Sequence, residues 1–266
     1  MPELSIIMPV YNEAANIDGA IKSILNQSFS DFEFIIINDG SNDDTLNIIS
    51  KYDDKRIALI NNNKNIGKAN CINIGLNLAR GNFIGFMDGD DTCSPNRFEL
   101  QMDFLLANDL DIVGCSINKI DENDKILFKQ TNPIEHREII NYLKIKNIFI
   151  GPSFYLTDAT ILAKAEVFKS IKFPSEVRWA EYFEVYLHAK KKYQFGNIND
   201  YLYNYRTSGF TSNIISQIKA TLIILKAIKK YEDDIILKLI GIIFSITRII
   251  SIPIIYITKK IIYKLI

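Results

Sequence analysis

The chain has 266 residues, enough for one sizeable α/β domain with its own core. Lys+Arg and Asp+Glu both number 31, so the net charge is zero and the total makes no case for a nucleic-acid partner. The three cysteines, Cys71, Cys93 and Cys115, are odd in number and form no C-x-x-C pair, which excludes a disulfide framework and a zinc signature and points to a reducing cytosol.

Met1-Pro2-Glu3-Leu4 leads directly into a strand-like run, without the basic n-region and long apolar stretch of a signal peptide. Leu4–Val10, Phe32–Asn38, Ile57–Ile60 and Phe83–Met87 are short apolar runs of strand length, each bounded by turn residues. Between and after them, Ala15–Asn26, Asp43–Tyr52, Lys68–Ala79 and Pro95–Ala107 have helical spacing. This alternation predicts a Rossmann-like, mostly parallel sheet with helices on both faces, and ligands outside the carboxyl ends of its strands. Those ends read Pro9-Val10-Tyr11-Asn12-Glu13, Asn38-Asp39-Gly40-Ser41 and Asp88-Gly89-Asp90-Asp91, so polar and acidic groups from three strands are expected at one rim. Further on, Asp111–Ile120 reads as a strand, and Ile134–Lys146, Lys164–Ser170 and Trp179–Lys192 as helices. In the last of these, Glu181, Glu184 and His188 share a face through their spacings of three and four. Ile214–Tyr231 reads as an amphipathic helix.

The three carboxylates of Asp88-Gly89-Asp90-Asp91 repel one another, and a hard cation with oxygen ligands, Mg²⁺ or Mn²⁺, relieves that repulsion and can also grip a diphosphate. Alone, such a turn is more often a solvated acidic loop. Here it follows an apolar strand and precedes a helix that opens near Pro95, and that context favours the metal. It is expected at an exposed rim, so that loss of Asp91 leaves the fold intact. Asp39 opens a Gly-Ser turn where its carboxylate can accept from a base or ribose edge while Ser41 or Asn42 caps the next helix. Lys68, at a helix start, suits a phosphate beside helix amides.

In their order these residues resemble the family 2 glycosyltransferases of GT-A fold. The matching text is Ser5-Ile6-Ile7-Met8-Pro9-Val10-Tyr11-Asn12-Glu13, Asn38-Asp39-Gly40-Ser41 with Asp44-Thr45, Asn65-x-Gly67-Lys68-Ala69 with Asn73 and Gly75, Ala79-x-Gly81, Asp88-x-Asp90-Asp91, Pro95 and Glu99. It continues more thinly to about Asn213, through Thr160, Phe173, Ala180-Glu181 and Tyr205-Arg206. The resemblance implies a transferase domain over residues 1–213 that uses a nucleotide-diphosphate sugar, often a uridine one, and inverts the anomeric centre. It implies that Pro9, Tyr11, Glu13 and Asp39 hold the nucleoside and that Asp88 and Asp90 face the nucleotide and ribose. Asp91, with Asp90 beside it, would hold the divalent metal, which neutralises charge on the departing diphosphate. A carboxylate farther along would deprotonate the acceptor hydroxyl. The implied acceptor is a surface-glycan precursor.

The chain departs from the family where that base belongs. The family has a Glu-Asp pair opening a helix; here Tyr182 stands at the Asp, and a phenol with pKa near 10 is a poor base. Glu181 is the nearest carboxylate and Glu184 lies a turn on. His188 replaces a frequent Arg, Ser208 lies near a frequent His, and Ile72 stands where Arg is often found. Donor binding therefore reads as intact and acceptor-side chemistry as altered. The competing interpretations are a non-catalytic, membrane-bound nucleotide-sugar-binding subunit and a sugar nucleotidyltransferase. The latter normally needs a basic, Gly-rich first loop that Pro9–Asn16 lacks. A dinucleotide fold is disfavoured because no G-x-G-x-x-G follows the first strand.

Residues 214–266 are expected to be helical and to dock on a membrane or another copy of the chain. From Ile235 onward the charged residues are only Lys238, Arg248, Lys259, Lys260 and Lys264. Leu239–Thr258 has the length of a span. Arg248 at its centre and Pro253 favour a helix lying in the interface, basic groups toward anionic headgroups. The expected location is the cytoplasmic face of the cell membrane.

Overall fold

The computed structural model describes residues 1–141, 158–169, 173, 181–207, 222, 225, 228–230 and 242–243. Strands β1 (Leu4–Val10), β2 (Phe32–Asn38), β3 (Ile57–Asn61) and β4 (Phe83–Phe86) lie where the apolar runs predict them. Helices α1 (Ile17–Leu25), α2 (Thr45–Ile49), α3 (Lys68–Leu78) and α4 (Arg97–Ala107) alternate with them. These four strands pair in parallel in the order β3-β2-β1-β4. Every residue of β2 is buried, as a strand covered on both faces must be.

The second half of the sheet is mixed. A two-residue strand β5 (Thr92–Cys93) follows the acidic turn, then β6 (Ile112–Ile120), β7 (Ile126–Gln130), β8 (Leu162–Lys164) and the long β9 (Phe195–Arg206). β8 lies antiparallel between β4 and β6, β9 runs parallel to β6, and β5 and β7 pair antiparallel at the margins. The expectation of helix over Lys164–Ser170 is corrected at its start: Lys164 ends β8, and among the described residues of that stretch the helix is α6 (Glu166–Lys169), because Leu162, Ala163 and Lys164 are claimed by the open edge of β4. Helix α5 is described over 136–141, and α7 covers Glu181–Ala189.

The core forms two layers, one on each face of the sheet. Leu4, Ile6, Met8 and Val10 of β1 pack with Ile17, Ile21 and Ile24 of α1 and with Phe98, Met102 and Leu105 of α4. Ile7, Ile35 and Ile37 face the other way, onto Ala69, Cys71 and Ile72 of α3 and an aromatic group that includes Phe86, Phe168, Phe173 and Tyr182. The strand period of two divides one hydrophobic run between both layers. Of the stretch 214–266, only 222, 225, 228–230 and 242–243 are described, and they are helical; apart from 242–243, the expected interfacial segment lies outside the described residues. No helix among the described residues is long and apolar enough to cross a membrane.

Candidate active site

The three predicted loops meet beyond the carboxyl ends of β1, β2 and β4. The loop after β1 is bolted to the loop after β2. Asn12, in a left-handed conformation with φ 56°, donates its backbone N–H to Ser41 Oγ at 3.0 Å and accepts the Asn42 N–H at 2.9 Å. The amides of Glu13 and Ala14 bind Thr45 Oγ1 and Asp43 Oδ2 at 2.8 and 3.1 Å. Ser41 and Asn42 therefore do not cap α2 as expected; their side chain and amide are used in this cross-link, and the residue ahead of α2 is Asp44. Gly40 is required at this crossing: its φ is +69°, and a Cβ there would stand 2.6 Å from the Lys64 backbone.

Asp39 is buried and organises the neighbouring loop. One oxygen accepts the Ile66 amide at 2.9 Å and the Asn62 side chain at 3.1 Å; the other accepts the Gly67 amide at 2.8 Å. About three of a carboxylate's four acceptor positions are thus used within the fold, and the Cys71 thiol lies against the same carboxylate. Gly67 precedes α3, and Lys68, its first residue, pairs with Asp88 at 2.6 Å.

The acidic turn is held against β1 and β9. A Cβ on Gly89 would lie 2.6 Å from Val10 Cγ1, so only glycine lets the turn approach this closely. The Asp88 amide donates to the buried Tyr203 hydroxyl at 3.2 Å. Arg206 ties the turn to two other segments: its amide donates to Asp91 Oδ1 at 2.7 Å, its Nε to the Asp90 carbonyl at 2.8 Å, and its Nη1 to the Asp121 carbonyl at 2.7 Å. Beneath the turn, Arg97 is fully buried, donating to the Phe86 and Ala159 carbonyls at 3.0 and 2.9 Å and lying 5.0 Å over the Tyr203 ring.

One expectation is overturned here. Asp91 does not sit on an exposed rim: it is 1% exposed, because Arg206 and β9 close over it. Its Oδ2 is buried with no hydrogen-bond partner among the described residues. Burial, then the charges of Asp90 and Asp88, push its carboxyl well above the ordinary range, with the Arg206 amide and the Tyr203 hydroxyl opposing. Asp90 is raised by burial and Asp88, with Lys68 and Arg206 opposing. Glu13, desolvated and facing Asp90 and Asp88 against a favourable bond from Asn16, rises to about 7. Asp88, Asp90 and Asp91 each offer an oxygen, all within 4.8 Å of one another. An orphaned buried oxygen in a cluster of like charges is the pattern a hard divalent cation relieves.

Of the other expected residues, Pro9 lies in β1 opposite Ile37, and Tyr11 is exposed beside the loop. Glu181 and Glu184 fall on α7, but their side chains lie outside the described residues. Tyr182 is a core residue, packed edge-to-face on Phe86 and Phe173 at 5.7 and 4.9 Å. Sequence reasoning missed four residues around the turn: Arg97, Lys119, Tyr203 and the side chain of Arg206. The alternation Tyr203-x-Tyr205 was the signal for the end of β9: both rings lie on the face of Ile117 and Lys119, whereas a register shift sets Tyr201 opposite Ser116.

The family model for glycosyl transferase family 2 matches residues 5–171, more than half the chain. The chain belongs to the family 2 glycosyltransferases. A glycosyltransferase of Methanocaldococcus jannaschii is 31% identical to this family 2 chain over 226 residues, covering 82% of the chain and 75% of the relative. A second relative, UDP-Glc:alpha-D-GlcNAc-diphosphoundecaprenol beta-1,3-glucosyltransferase WfgD of Escherichia coli, is 34% identical over 160 residues, covering 60% of the chain and 61% of the relative. S. aureus TarS 1–349 in complex with UDP-GlcNAc superposes with a TM-score of 0.72 at 20% identity, over 94% of this chain and 73% of that one. Mannosyltransferase PcManGT from Pyrobaculum calidifontis, in complex with GDP-Man and Mn²⁺, superposes with a TM-score of 0.64 at 16% identity, over 95% of this chain and 73% of that one. These superpositions establish the GT-A fold of this family 2 glycosyltransferase.

Proposed function

We propose that this glycosyltransferase moves a sugar from a UDP-sugar to a hydroxyl of a lipid-linked glycan acceptor, with inversion and with a divalent metal. The observation that carries the proposal is the buried, unpartnered Asp91 Oδ2 in a cluster of three carboxylates, beside Lys68 and the Asp39 loop. WfgD, a glucosyltransferase from UDP-Glc to a sugar on diphosphoundecaprenol, supports the donor and acceptor classes, and the TarS complex supports UDP-GlcNAc-type donors.

Pro9, Tyr11, Glu13 and Asp39 surround the nucleoside, with Asp88 and Asp90 toward the ribose and nucleotide. Asp91 and Asp90 hold Mn²⁺ or Mg²⁺, which when bound neutralises the diphosphate as it leaves. Lys68 shifts between Asp88 and the phosphates. The acceptor hydroxyl oxygen bonds to the anomeric carbon as the carbon–diphosphate bond breaks, and the hydroxyl proton passes to a carboxylate, Glu181, with Glu184 as the alternative one turn along. Tyr182 at the position of the family's Asp favours a second reading, a subunit that binds the nucleotide sugar without turning it over. Residues 214–266 form a separate segment that docks on the cytoplasmic membrane surface or on a second copy.

A panel of UDP- and GDP-sugars with Mn²⁺, assayed for nucleoside diphosphate released in the presence of lipid-linked acceptors, tests the proposal. Release that depends on metal and acceptor supports it. Tight UDP binding with no transfer to any acceptor supports the non-catalytic reading.

A further inference from the structure

Tyr203 is a buried group that the donor site leaves half used. Its side chain is fully enclosed in β9, opposite Ile117 of β6 and Cys93 of β5. Phenylalanine would fill the same space without a polar atom to bury, so the hydroxyl needs a use. One use is visible: the hydroxyl oxygen accepts the Asp88 amide at 3.2 Å. The phenol proton is the other half, and among the described residues no acceptor of good geometry takes it.

Asp91 supplies the matching half. Its Oδ1 accepts the Arg206 amide at 2.7 Å, and its Oδ2 has no partner. The Tyr203 hydroxyl is close enough to Asp91 to favour the carboxylate form of that side chain. An unspent donor and an unpartnered acceptor thus stand together at 0 and 1% exposure, away from bulk water. A carboxylate oxygen has two lone pairs, so taking the phenol proton on one leaves the other for a cation. Arg97 completes the arrangement from below. Its guanidinium lies 5.0 Å from the Tyr203 ring centroid, and its donors go to neutral groups: Gln101 Oε1 at 2.9 Å, Met87 Sδ at 3.7 Å, and the Phe86 and Ala159 carbonyls. Phe86 and Met87 lead directly into Asp88, so this one cation braces both the base of the acidic turn and the ring that touches the turn. A cation on a ring face also draws electron density from the phenol and makes its O–H a better donor.

We propose that Tyr203 is a positioning residue for the metal carboxylates: its hydroxyl takes the Asp88 amide and gives its proton to Asp91 Oδ2 when that carboxylate engages the cation. This rests on the divalent-metal reading proposed above. One buried oxygen atom then links the first and last residues of the acidic turn. β9 sets both oxygens of Asp91, with the Arg206 amide on Oδ1 and Tyr203 on Oδ2. Hydrogen bonds that orient a metal ligand are worth about 10–100-fold in metal affinity. A purely space-filling Tyr203 accounts less well for the site, because it leaves a buried donor and a buried acceptor side by side and both unused.

The experiment reads UDP affinity by calorimetry on the full chain, once with Mn²⁺ and once with EDTA in its place, for wild type and Tyr203→Phe. Phenylalanine keeps the ring on Arg97 and removes only the hydroxyl. The ratio of the two affinities isolates the metal's share, and because both are read on the same folded protein a change of stability cancels. The ratio should fall about 10–100-fold in Tyr203→Phe, while the affinity in EDTA holds. Tm without metal should drop by about 2–4 °C, the scale of one lost hydrogen bond. An unchanged ratio overturns the proposal, whatever happens to Tm. Equal losses with Mn²⁺ and with EDTA make the hydroxyl a support of the turn as a whole, and overturn it too. Wild-type protein that binds UDP equally with Mn²⁺ and with EDTA removes the metal reading itself, a failure seen before any variant is made, and the role of Tyr203 goes with it.

Discussion

Asp91→Asn should separate metal binding from folding, and in opposite directions. The side chain is 1% exposed, one oxygen accepts the Arg206 amide at 2.7 Å, and the other has no partner. Asparagine keeps the volume and the accepted bond, and replaces the unpartnered oxygen with a neutral amide group that removes one like charge from beside Asp88 and Asp90. An unsatisfied buried polar atom costs about 1–3 kcal/mol, and like-charge repulsion from Asp90 and Asp88 adds to it. The metal-free variant should therefore be more stable than wild type at pH 8 by about 1–3 kcal/mol. At about 2–4 °C per kcal/mol for a domain of this size, Tm rises by several degrees. The pH dependence agrees in sign. A carboxyl whose folded pKa is raised contributes stability below its unfolded pKa and loses it as pH rises through the folded value, and the amide cannot lose it. Metal affinity should fall at least about 100-fold, the upper range for losing even an outer group of a metal site. Differential scanning calorimetry without metal and titration of UDP with Mn²⁺ measure the two effects. A variant that melts lower than wild type and still binds UDP in a Mn²⁺-dependent manner refutes the reasoning.

Three further outcomes follow from the same geometry. Glu13 rises from 4.5 to about 7, so its contribution to stability declines as pH climbs between those values and is flat above; Glu13→Gln should be free of that decline and melt higher than wild type at pH 8 but not at pH 4.5. Gly89→Ala forces a methyl to 2.6 Å from Val10 Cγ1, which should destabilise the fold by about 1–3 kcal/mol and displace the acidic turn, seen as weaker UDP binding together with a lower Tm. Glu181→Gln should lower turnover by about 10²–10⁴-fold with UDP affinity retained; an effect of Glu184→Gln instead moves the base one turn along α7, and an effect of neither removes both from catalysis.

The sequence by itself determined the first half of the molecule. Four apolar runs of strand length, each closed by Gly, Asn or Asp, can only be buried as a parallel sheet with helices over both faces, and the acids at their ends had to converge. Local pattern sufficed because each of those elements carries its own period and its own stop signal. The second half was decided by tertiary structure. Lys164 reads as the start of a helix and instead ends the strand Leu162–Lys164, because the edge of β4 offers hydrogen bonds that three residues cannot supply for themselves. Thr92–Cys93 is a strand only because β9 lies beside it. The burial of Asp91 was invisible in its own neighbourhood: the residue that encloses it, Arg206, is 115 positions away. Arg97, Tyr203 and Lys119 gain their relation to the acidic turn in the same way, through strand register and packing across the sheet. A carboxylate's type and spacing are local properties, whereas its exposure and charge state depend on what folds over it, and that is set by contacts distant along the chain.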